Sequence, residues 1–468
     1  MEKEEILAKE NISLKTKINY SLGLFANGIL NGFVFANITF FYNQKLGANS
    51  ILLGIGWLIF LFWNTINDPI ASYIIDNTRT KIGRRKPYIR YGSIFYGLAF
   101  IFCFFPIAQP GDQIGLFINF LAALFLLDTM FTFIGACFFS LPNEIAISAQ
   151  QRASLGVYGA VIGFINLIFI LVIPVLLFTG QEGLPSYFAP SIIIIGLGCS
   201  LLLFISSYFI KENMFAQLQP HEKFIEGLKL TLKNKPFWIY MIPAFFIYLV
   251  YPIFQTGFLY YVEYILVDEV IFIFILALIF GIIIGLVLSL RNIATWRPKK
   301  TMMINLSIII IGFLVLFIIG LNSIFSPIPA FIAGIGFAGS MVSNPVLLGD
   351  AIDNDELITG KRREAIYGGV NALVNKPAIS ISNLIFLSLL DIYGFVEGVQ
   401  VQSENALNGL LIAFALIPAV FLFLSLISLK FFPLDGEQWE KKKSEIFALH
   451  QKKEKEYLET IKKKKDQN

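Results

Sequence analysis

Long apolar runs recur along the whole chain and are separated by short polar segments. The run from Val270 to Leu290 is apolar on all sides of a helix, and it is long enough to cross a hydrocarbon core of about 30 Å. A membrane-spanning β-barrel would instead need segments of roughly ten residues that alternate between apolar and polar side chains. The pattern therefore predicts α-helices that span a membrane.

The pattern predicts twelve such helices, so the expected fold is an all-α integral membrane protein with twelve transmembrane helices. Their expected bounds are 18–42, 50–75, 88–108, 114–141, 155–179, 188–210, 236–264, 269–290, 302–322, 327–348, 365–391 and 406–430. The first residues, MEKEEILAKENISLKTK, are polar and charged. We therefore expect no cleavable signal peptide and a first helix that is retained.

The composition agrees with a protein that lipid surrounds. Of the 468 residues, 56% are hydrophobic, 48 are Phe and 15% are charged, and the mean hydropathy is +0.71. Cys103, Cys137 and Cys199 lie inside predicted spans without the spacing of a metal site. The only histidines, His221 and His450, lie outside the spans, and no phosphate-binding glycine loop occurs. We therefore expect no enzyme, no cofactor and no binding of nucleic acid.

The basic residues indicate how the helices are oriented. They follow the even-numbered spans, at Arg79, Lys81, Arg84, Arg85 and Lys86, at Arg152, between Lys211 and Lys235, between Arg297 and Lys300, and between Lys361 and Arg363. The opposite loops contain almost no basic residue except Lys45. Because basic loops stay in the cytoplasm, we expect a protein of the cell membrane with both termini in the cytoplasm.

The domain organisation follows from the longest connection, which lies between the sixth and seventh spans. The expected units are a cytoplasmic N-terminus (1–17), a first six-helix bundle (18–211), a central loop (212–235), a second six-helix bundle (236–431) and a charged tail (432–468). The loop RTKIGRRKPYIR has a shorter counterpart, RNIATWRPKK, in the second half. Two related six-helix bundles are the organisation of major facilitator transporters, and we expect a monomer. The tail is expected to be solvated and partly helical, or else attached electrostatically to anionic lipid.

Three loop segments carry a resemblance to a known family. The stretch NDPIASYIIDNTRTKIGRRKPY, from Asn67 to Tyr88, resembles the signature after the second helix of the glycoside-pentoside-hexuronide:cation symporters. The stretch from Gly349 to Pro377 is similar to the family's motif between helices 10 and 11, and SLPNEIAISAQQRASL resembles its motif after helix 4 more loosely. The resemblance covers residues 15–430. It implies a major facilitator fold and secondary transport of a sugar or glycoside by alternating access, coupled to Na⁺ or H⁺.

The segments Asn67–Tyr88 and Gly349–Pro377 also carry candidate gating residues. Charges at the cytoplasmic helix ends of one bundle can pair with charges of the other and hold that side closed, and Gly83 permits a tight turn. The alternative is that the bases only set topology and the acids only solvate the loop. The candidates are Asp76, Arg79, Gly83, Arg84 and Lys86 in the first bundle and Asp350, Asp353, Arg362 and Arg363 in the second.

Ionisable residues inside predicted spans each cost several kcal/mol unless they face a partner or a cavity, and three of them stand out. With a rise of about 1.5 Å per residue, Asp68, Asp128 and Lys376 lie roughly 11, 20 and 17 Å from the cytoplasmic helix ends. We hypothesise that they face one central cavity, where at least one acid binds a coupling cation or exchanges a proton. A static buried ion pair is the alternative.

The resemblance refines this cation-binding site. Asp68 matches an aspartate of the family's cation site, and Lys376 matches a lysine of its eleventh helix. Asn64 stands where family members have a second aspartate, so the candidate cation-binding residues are Asp68, Asn64 and Asp128. An amide keeps an oxygen ligand but removes a charge. Proton coupling, or no coupling, is therefore an alternative to sodium coupling.

The expected solute site departs from that of disaccharide carriers, whose aspartates on helices 1 and 4 align with Gly28 and Gly135. The candidate substrate-binding residues are Asn27, Asn31, Asp128, Gln255 and Lys376. Ordinary polar contacts between helices are the alternative for each asparagine, including Asn37 and Asn166. The loss of sugar-binding carboxylates also keeps open a carrier of lysolipid or another amphiphile. The outer tyrosines of the seventh span, Tyr260 among them, are assigned mainly to the membrane interface.

Overall fold

The computed structural model describes residues 12–145, 149–180, 183–209, 231–360, 363–446 and 448, and within them it is built from α-helices. The twelve long helices are α1 (Leu14–Phe40, continued by a π-helical turn, Phe41–Lys45), α2 (Ser50–Asn77), α3 (Lys86–Phe104), α4 (Gln113–Ile145), α5 (Ala149–Phe178), α6 (Phe188–Phe209), α7 (Lys235–Tyr264), α8 (Asp268–Trp296), α9 (Pro298–Ile319), α10 (Pro327–Thr359), α11 (Glu364–Ile392) and α12 (Glu404–Leu411, continued through Ile412–Leu416 to Ile417–Leu429). The all-α membrane fold with twelve helices is confirmed.

Hydropathy accounts for most of these helices. Within the described ranges, eleven of them are long and apolar enough to span a membrane. The helix that falls short is α3, whose apolar stretch is diluted by Lys86, Arg90 and three tyrosines. It packs between α4 and α6. Its neighbours therefore supply the apolar surroundings that its own sequence supplies less fully.

Two groups of six helices form the fold. In the first group α1 packs on α5 and α6, while α4 packs on α2 and α3. In the second group α10 packs on α8 and α9, and α7 packs on α11 and α12. The two groups meet chiefly where α1 contacts α7 and where α2 contacts α11. These two junctions position the residues of the candidate site.

Two helical segments extend beyond the predicted bounds. The tenth span, expected over 327–348, continues as helix to Thr359 through the charged stretch GDAIDNDELIT. It ends at Gly360, whose left-handed φ of 70° allows its amide to donate to the Glu356 carbonyl at 2.8 Å. Hydropathy does not predict this extension, because the last turns of the helix carry charged side chains and lie beyond its apolar span. The second extension is a short helix over residues 437–446, in which Trp439 and Ile446 are buried.

Small residues bring some helices into backbone contact, most closely between α8 and α10. A Cβ at Gly281 would lie 2.2 Å from the Phe331 carbonyl oxygen, and one at Gly285 would lie 2.0 Å from that of Ile335. Such distances leave no room for a side chain, and glycine is used in this way where membrane helices approach closely.

Gly285→Ala is therefore expected to destabilise the protein by about 1–3 kcal/mol, because the added methyl group forces α8 away from α10. The matched control is Gly163→Ala in α5, where a Cβ would meet no atom within 4 Å. Thermal unfolding of the purified variants in one detergent measures the difference. Equal melting temperatures for the two variants would contradict the close-packing explanation.

Candidate transport site

The helical bundle has two ends, which we name by the chain. The terminal end contains the start of α1 and the end of α12, and the distal end contains Phe41–Lys45 and the end of α7. Since the helices alternate in direction, every even-to-odd connection lies at the terminal end.

An ion pair joins the two bundles about midway between these ends. Lys376 Nζ of α11 lies 2.6 Å from Asp68 Oδ2 of α2. The two side chains are 21% and 34% exposed, respectively, so the pair is partly accessible and is not sealed in the core. Asp68 and Lys376 were both expected in a central layer, and the structure brings them into direct contact.

Asp128 lies behind this pair and does not contact it. The Asn67 Nδ2 amide donates to Asp128 Oδ2 at 3.0 Å and to Thr132 Oγ1 at 3.1 Å. The Thr132 hydroxyl in turn donates to Asp68 Oδ1 at 3.2 Å. Because Asp128 is only 1% exposed, the structure does not place it on the accessible side, where a residue that binds cation or solute was expected.

Asn67 and Thr132 were not singled out from the sequence. Asn67 directly precedes Asp68 in α2, and Thr132 follows Asp128 by one helical turn and shares its helix face. Their positions next to Asp68 and one turn after Asp128 are the sequence features that could have identified them.

Asn64 lies one turn before Asp68 on α2. It is buried, and its Oδ1 has no hydrogen-bond partner in the described part of the chain. A buried acceptor without a partner is unfavourable by roughly 1–3 kcal/mol, so it marks a place where a ligand would be stabilising. Among the described side chains, Asn64 Oδ1, Asp68 and the Thr132 hydroxyl are the oxygens that could hold a monovalent cation there.

A second set of amides lines the contact between α1 and α5. The Oδ1 atoms of Asn27, Asn31 and Asn166 are buried and lack hydrogen-bond partners among the described residues. A Cβ at Gly28 would lie 2.0 Å from Asn166 Nδ2, so the Asn166 amide occupies the space beside Gly28. Where disaccharide carriers have an aspartate, this chain therefore has an amide supplied by the neighbouring helix.

A cavity between the bundles is lined by residues of α1, α5, α7, α8 and α10. Gln255, expected at the solute site, lines it together with Tyr251 and Asn37, while most of the other lining side chains are aliphatic or phenylalanine. The chemistry of this cavity is thus a few polar groups on a largely apolar wall, which is typical of small-molecule sites.

The distal end is closed by contacts between the bundles that sequence reasoning missed. The Tyr260 hydroxyl donates to Asn43 Oδ1 at 2.8 Å, and the Tyr264 hydroxyl donates to Gln44 Oε1. Lys45 Nζ lies 3.6 Å from Glu263 Oε1. Tyr260 is fully buried between the bundles, which corrects its assignment to the membrane interface.

At the terminal end, the described partners of two gating candidates lie in the second bundle and in the tail that follows it. Arg363 pairs with Asp355 at 2.5 Å, and Asp350 Oδ1 lies 2.9 Å from Lys443 Nζ. The expected pairing of Arg363 and Asp350 with the first bundle is not the arrangement in this conformation.

The remaining gating candidates are placed as follows. Gly83 has a φ of 123°, which a glycine adopts readily, and its carbonyl accepts from Thr80 Oγ1 at 2.6 Å. Arg84 is buried, Arg79 donates to the Thr78 carbonyl, Lys86 begins α3 and Asp353 lies in α10. Arg362 and the side chain of Asp76 lie outside the described residues.

Comparison with known protein families identifies the family of this chain. The model of the family described as MFS/sugar transport protein matches residues 19–436. The chain belongs to this family. The resemblance of its loop motifs to the sugar symporters of the major facilitator superfamily is thereby confirmed.

Relatives of this MFS sugar-transport protein include the uncharacterized symporter YnaJ of Bacillus subtilis, 25% identical over 97% of the chain and 98% of the relative. The isoprimeverose transporter of Lactiplantibacillus pentosus is 22% identical over 92% and 91%, respectively. Among solved structures, a D-xylose-proton symporter superposes with a TM-score of 0.64 at 12% identity, covering 89% of this chain and 97% of that one. This last likeness concerns the fold alone.

Proposed function

We propose that this MFS sugar-transport protein couples the movement of a sugar-like solute to a cation by alternating access. It is a secondary transporter in a membrane, and the proposal concerns how it works. The observation that carries it is the Asp68–Lys376 ion pair, which joins the two bundles at mid-depth and is partly accessible. Charged groups at that depth are typical of ion and substrate pathways.

The charge of the central layer supports coupling to a cation. Asp68, Asp128 and Lys376 together hold one carboxylate more than ammonium groups. A bound cation or a proton removes this excess negative charge. The change of conformation then costs less free energy, because no net charge has to move through the apolar part of the membrane. Asn64 Oδ1, which lacks a protein partner among the described residues, adds a neutral oxygen ligand beside Asp68. We take Na⁺ and H⁺ as the candidate ions.

The direction of opening follows from the distal contacts. With both termini in the cytoplasm of a cell, the distal end faces outward, and the contacts of Tyr260, Tyr264 and Lys45 with the opposite bundle close the outer side. We infer that the solute site of this conformation opens to the cytoplasm. The protein is expected to act as a monomer, because the solute pathway lies between the two halves of one chain.

The solute is proposed to be a neutral sugar or glycoside. The amides of Asn27, Asn31 and Asn166 each offer a donor and an acceptor, which is what a sugar hydroxyl needs. Tyr251 and Gln255, which line the cavity between the bundles, add an aromatic face and a further amide. The isoprimeverose transporter among the relatives handles a solute of this class by its name.

One observation favours a second candidate, a lysolipid or another amphiphile. Most side chains that line the cavity are apolar, including Leu167, Ile170, Phe254 and Met341. An alkyl chain would pack on that wall better than a sugar ring does.

Uptake into proteoliposomes tests the proposal. A panel of radiolabelled mono- and disaccharides and one lysolipid is offered under an imposed sodium gradient, a proton gradient or none. We expect at least one sugar to accumulate above its external concentration under one of the gradients. Equilibration without accumulation would identify an uncoupled facilitator, and uptake of lysolipid alone would replace the sugar by the amphiphile.

A further inference from the structure

The fully buried Asp128 has no direct contact with the ion pair, yet a chain of hydrogen bonds connects it to Asp68. Each link is within hydrogen-bond distance: Asp128 to Asn67, Asn67 to Thr132, and Thr132 to Asp68. Asp128 and Thr132 both come from α4, at positions four residues apart, while Asn67 and Asp68 come from α2, so the relay alternates between the two helices.

The direction of each bond follows from donor and acceptor chemistry. A carboxylate only accepts, so Asp128 requires the NH₂ group of Asn67 and excludes the flipped amide, whose oxygen would face it. The second hydrogen of that NH₂ group is then directed at Thr132 Oγ1. The Thr132 hydroxyl, which now accepts from Asn67, gives its own hydrogen to Asp68 Oδ1.

The consequence falls on Asp68. One of its oxygens receives the Thr132 hydroxyl and the other pairs with Lys376, so the orientation of the carboxylate is fixed from both sides. The Thr132 oxygen keeps a lone pair for a cation beside Asn64. We propose that Asp128 is a positioning residue, which orients Asp68 through Asn67 and Thr132 and contacts neither the coupling ion nor the solute. This inference rests on the proposed cation coupling.

The test compares a conservative with an apolar replacement. In Asp128→Asn the new amide oxygen still accepts from Asn67, so the half-saturating cation concentration for uptake is expected to rise by less than about threefold. Asp128→Leu removes the acceptor and frees the Asn67 amide, so the same concentration is expected to rise by about tenfold or more. Asn67→Leu breaks the same relay, and the double variant Asp128→Leu/Asn67→Leu is expected to be no worse than either single variant.

The outcomes separate this inference from the proposed function. Loss of all cation dependence in Asp128→Asn would make Asp128 a direct ion or proton site and overturn the positioning role. Wild-type affinity in Asp128→Leu would overturn it as well. A wild-type protein with no cation dependence would instead refute the coupling itself. If Asp128→Leu does not fold, Thr132→Val serves as the second variant. It removes the hydrogen bond from Thr132 to Asp68 and must raise the half-saturating cation concentration for uptake.

A second and independent observation concerns the segment after α12. Lys299 Nζ donates to the carbonyls of Lys430 and Phe432 at 2.9 and 2.8 Å, which fixes where this segment leaves the bundle. Trp439 and Ile446 are buried. Between them, Lys443 reaches the buried Asp350 near the terminal end of α10.

Asp350 is also one of the acids that we expect to pair with bases of the first bundle when the terminal end closes. A buried carboxylate needs a partner in every conformation, and its pair with Lys443 satisfies it in this one. We propose that Lys443 competes with the first bundle for Asp350 and thereby stabilises the conformation in which the distal end is closed.

Distance measurements between spin labels test this competition. Labels at Asp112 and Val401, which are exposed at the distal ends of the two bundles, report on distal opening once the three buried cysteines have been replaced. Lys443→Gln is expected to increase the fraction of label pairs at the longer distance at least twofold. Lys442→Gln, at the exposed neighbouring residue, is expected to leave the distance distribution unchanged. Lys443→Arg keeps the charge and must retain the wild-type distribution. Identical distributions in Lys443→Gln and wild type would overturn the proposal.

Discussion

Replacing Asp68 by asparagine is expected to reduce cation-driven accumulation of the solute at least 100-fold. The substitution removes the negative charge that lies 2.6 Å from the Lys376 ammonium group and the carboxylate beside Asn64. It leaves the partly exposed Lys376 ammonium group without its carboxylate partner, and a 100-fold loss corresponds to about 2.7 kcal/mol. Accumulation in proteoliposomes under a fixed gradient is the measurement, with Asp112→Asn at an exposed acid as the matched control.

A double variant separates coupling from packing. In Asp68→Asn/Lys376→Met the unpaired charge is gone, so a protein in which the pair only stabilises the fold would regain accumulation. We expect it to regain stability and, at most, passive exchange, because the ion ligand is still missing. Restored accumulation in the double variant would show that the pair is structural.

The second large effect is expected at the distal end. Joining Gln44→Cys to Tyr264→Cys with a short bifunctional thiol reagent should abolish transport, because these two positions contact each other across the two bundles. Alternating access requires that contact to open in every cycle. The native cysteines are buried, so the reagent acts on the introduced pair. A reducible reagent allows the same sample to recover its activity.

The control for this experiment joins two positions of one bundle. Asn49 and Gln113 are hydrogen-bonded at the same distal end, but both belong to the first bundle. Cross-linking Asn49→Cys to Gln113→Cys is expected to leave most of the transport intact. Full transport with the Gln44–Tyr264 link in place would mean that the distal end does not open during the cycle.

The fold was accessible from the sequence because hydropathy acts over whole helices. A run such as Val270–Leu290 can be stable only in lipid, and no detail of packing alters that conclusion. Asp68 and Lys376 were found for the same reason, since a charge within an apolar helix stands out regardless of its neighbours.

The rest of the site depends on the register between helices, which local sequence does not encode. Asn67 and Thr132 are ordinary polar residues until α2 and α4 pack side by side and bring them together. Tyr260 was misassigned because a tyrosine near a helix end occurs at lipid interfaces and at bundle junctions alike. The burial of Trp439 was hidden by the charged segment around it.

The backbone contact between α8 and α10 also limits how this protein can diverge. At Gly281 and Gly285 the carbonyl oxygens of the facing helix already occupy the volume of any side chain, so a substitution survives only if a second change moves α10. At Gly156 and Gly163 no neighbour lies within 4 Å, and substitutions can accumulate singly. Among natural descendants of this sequence, positions 281 and 285 are therefore expected to remain glycine after positions 156 and 163 have been substituted.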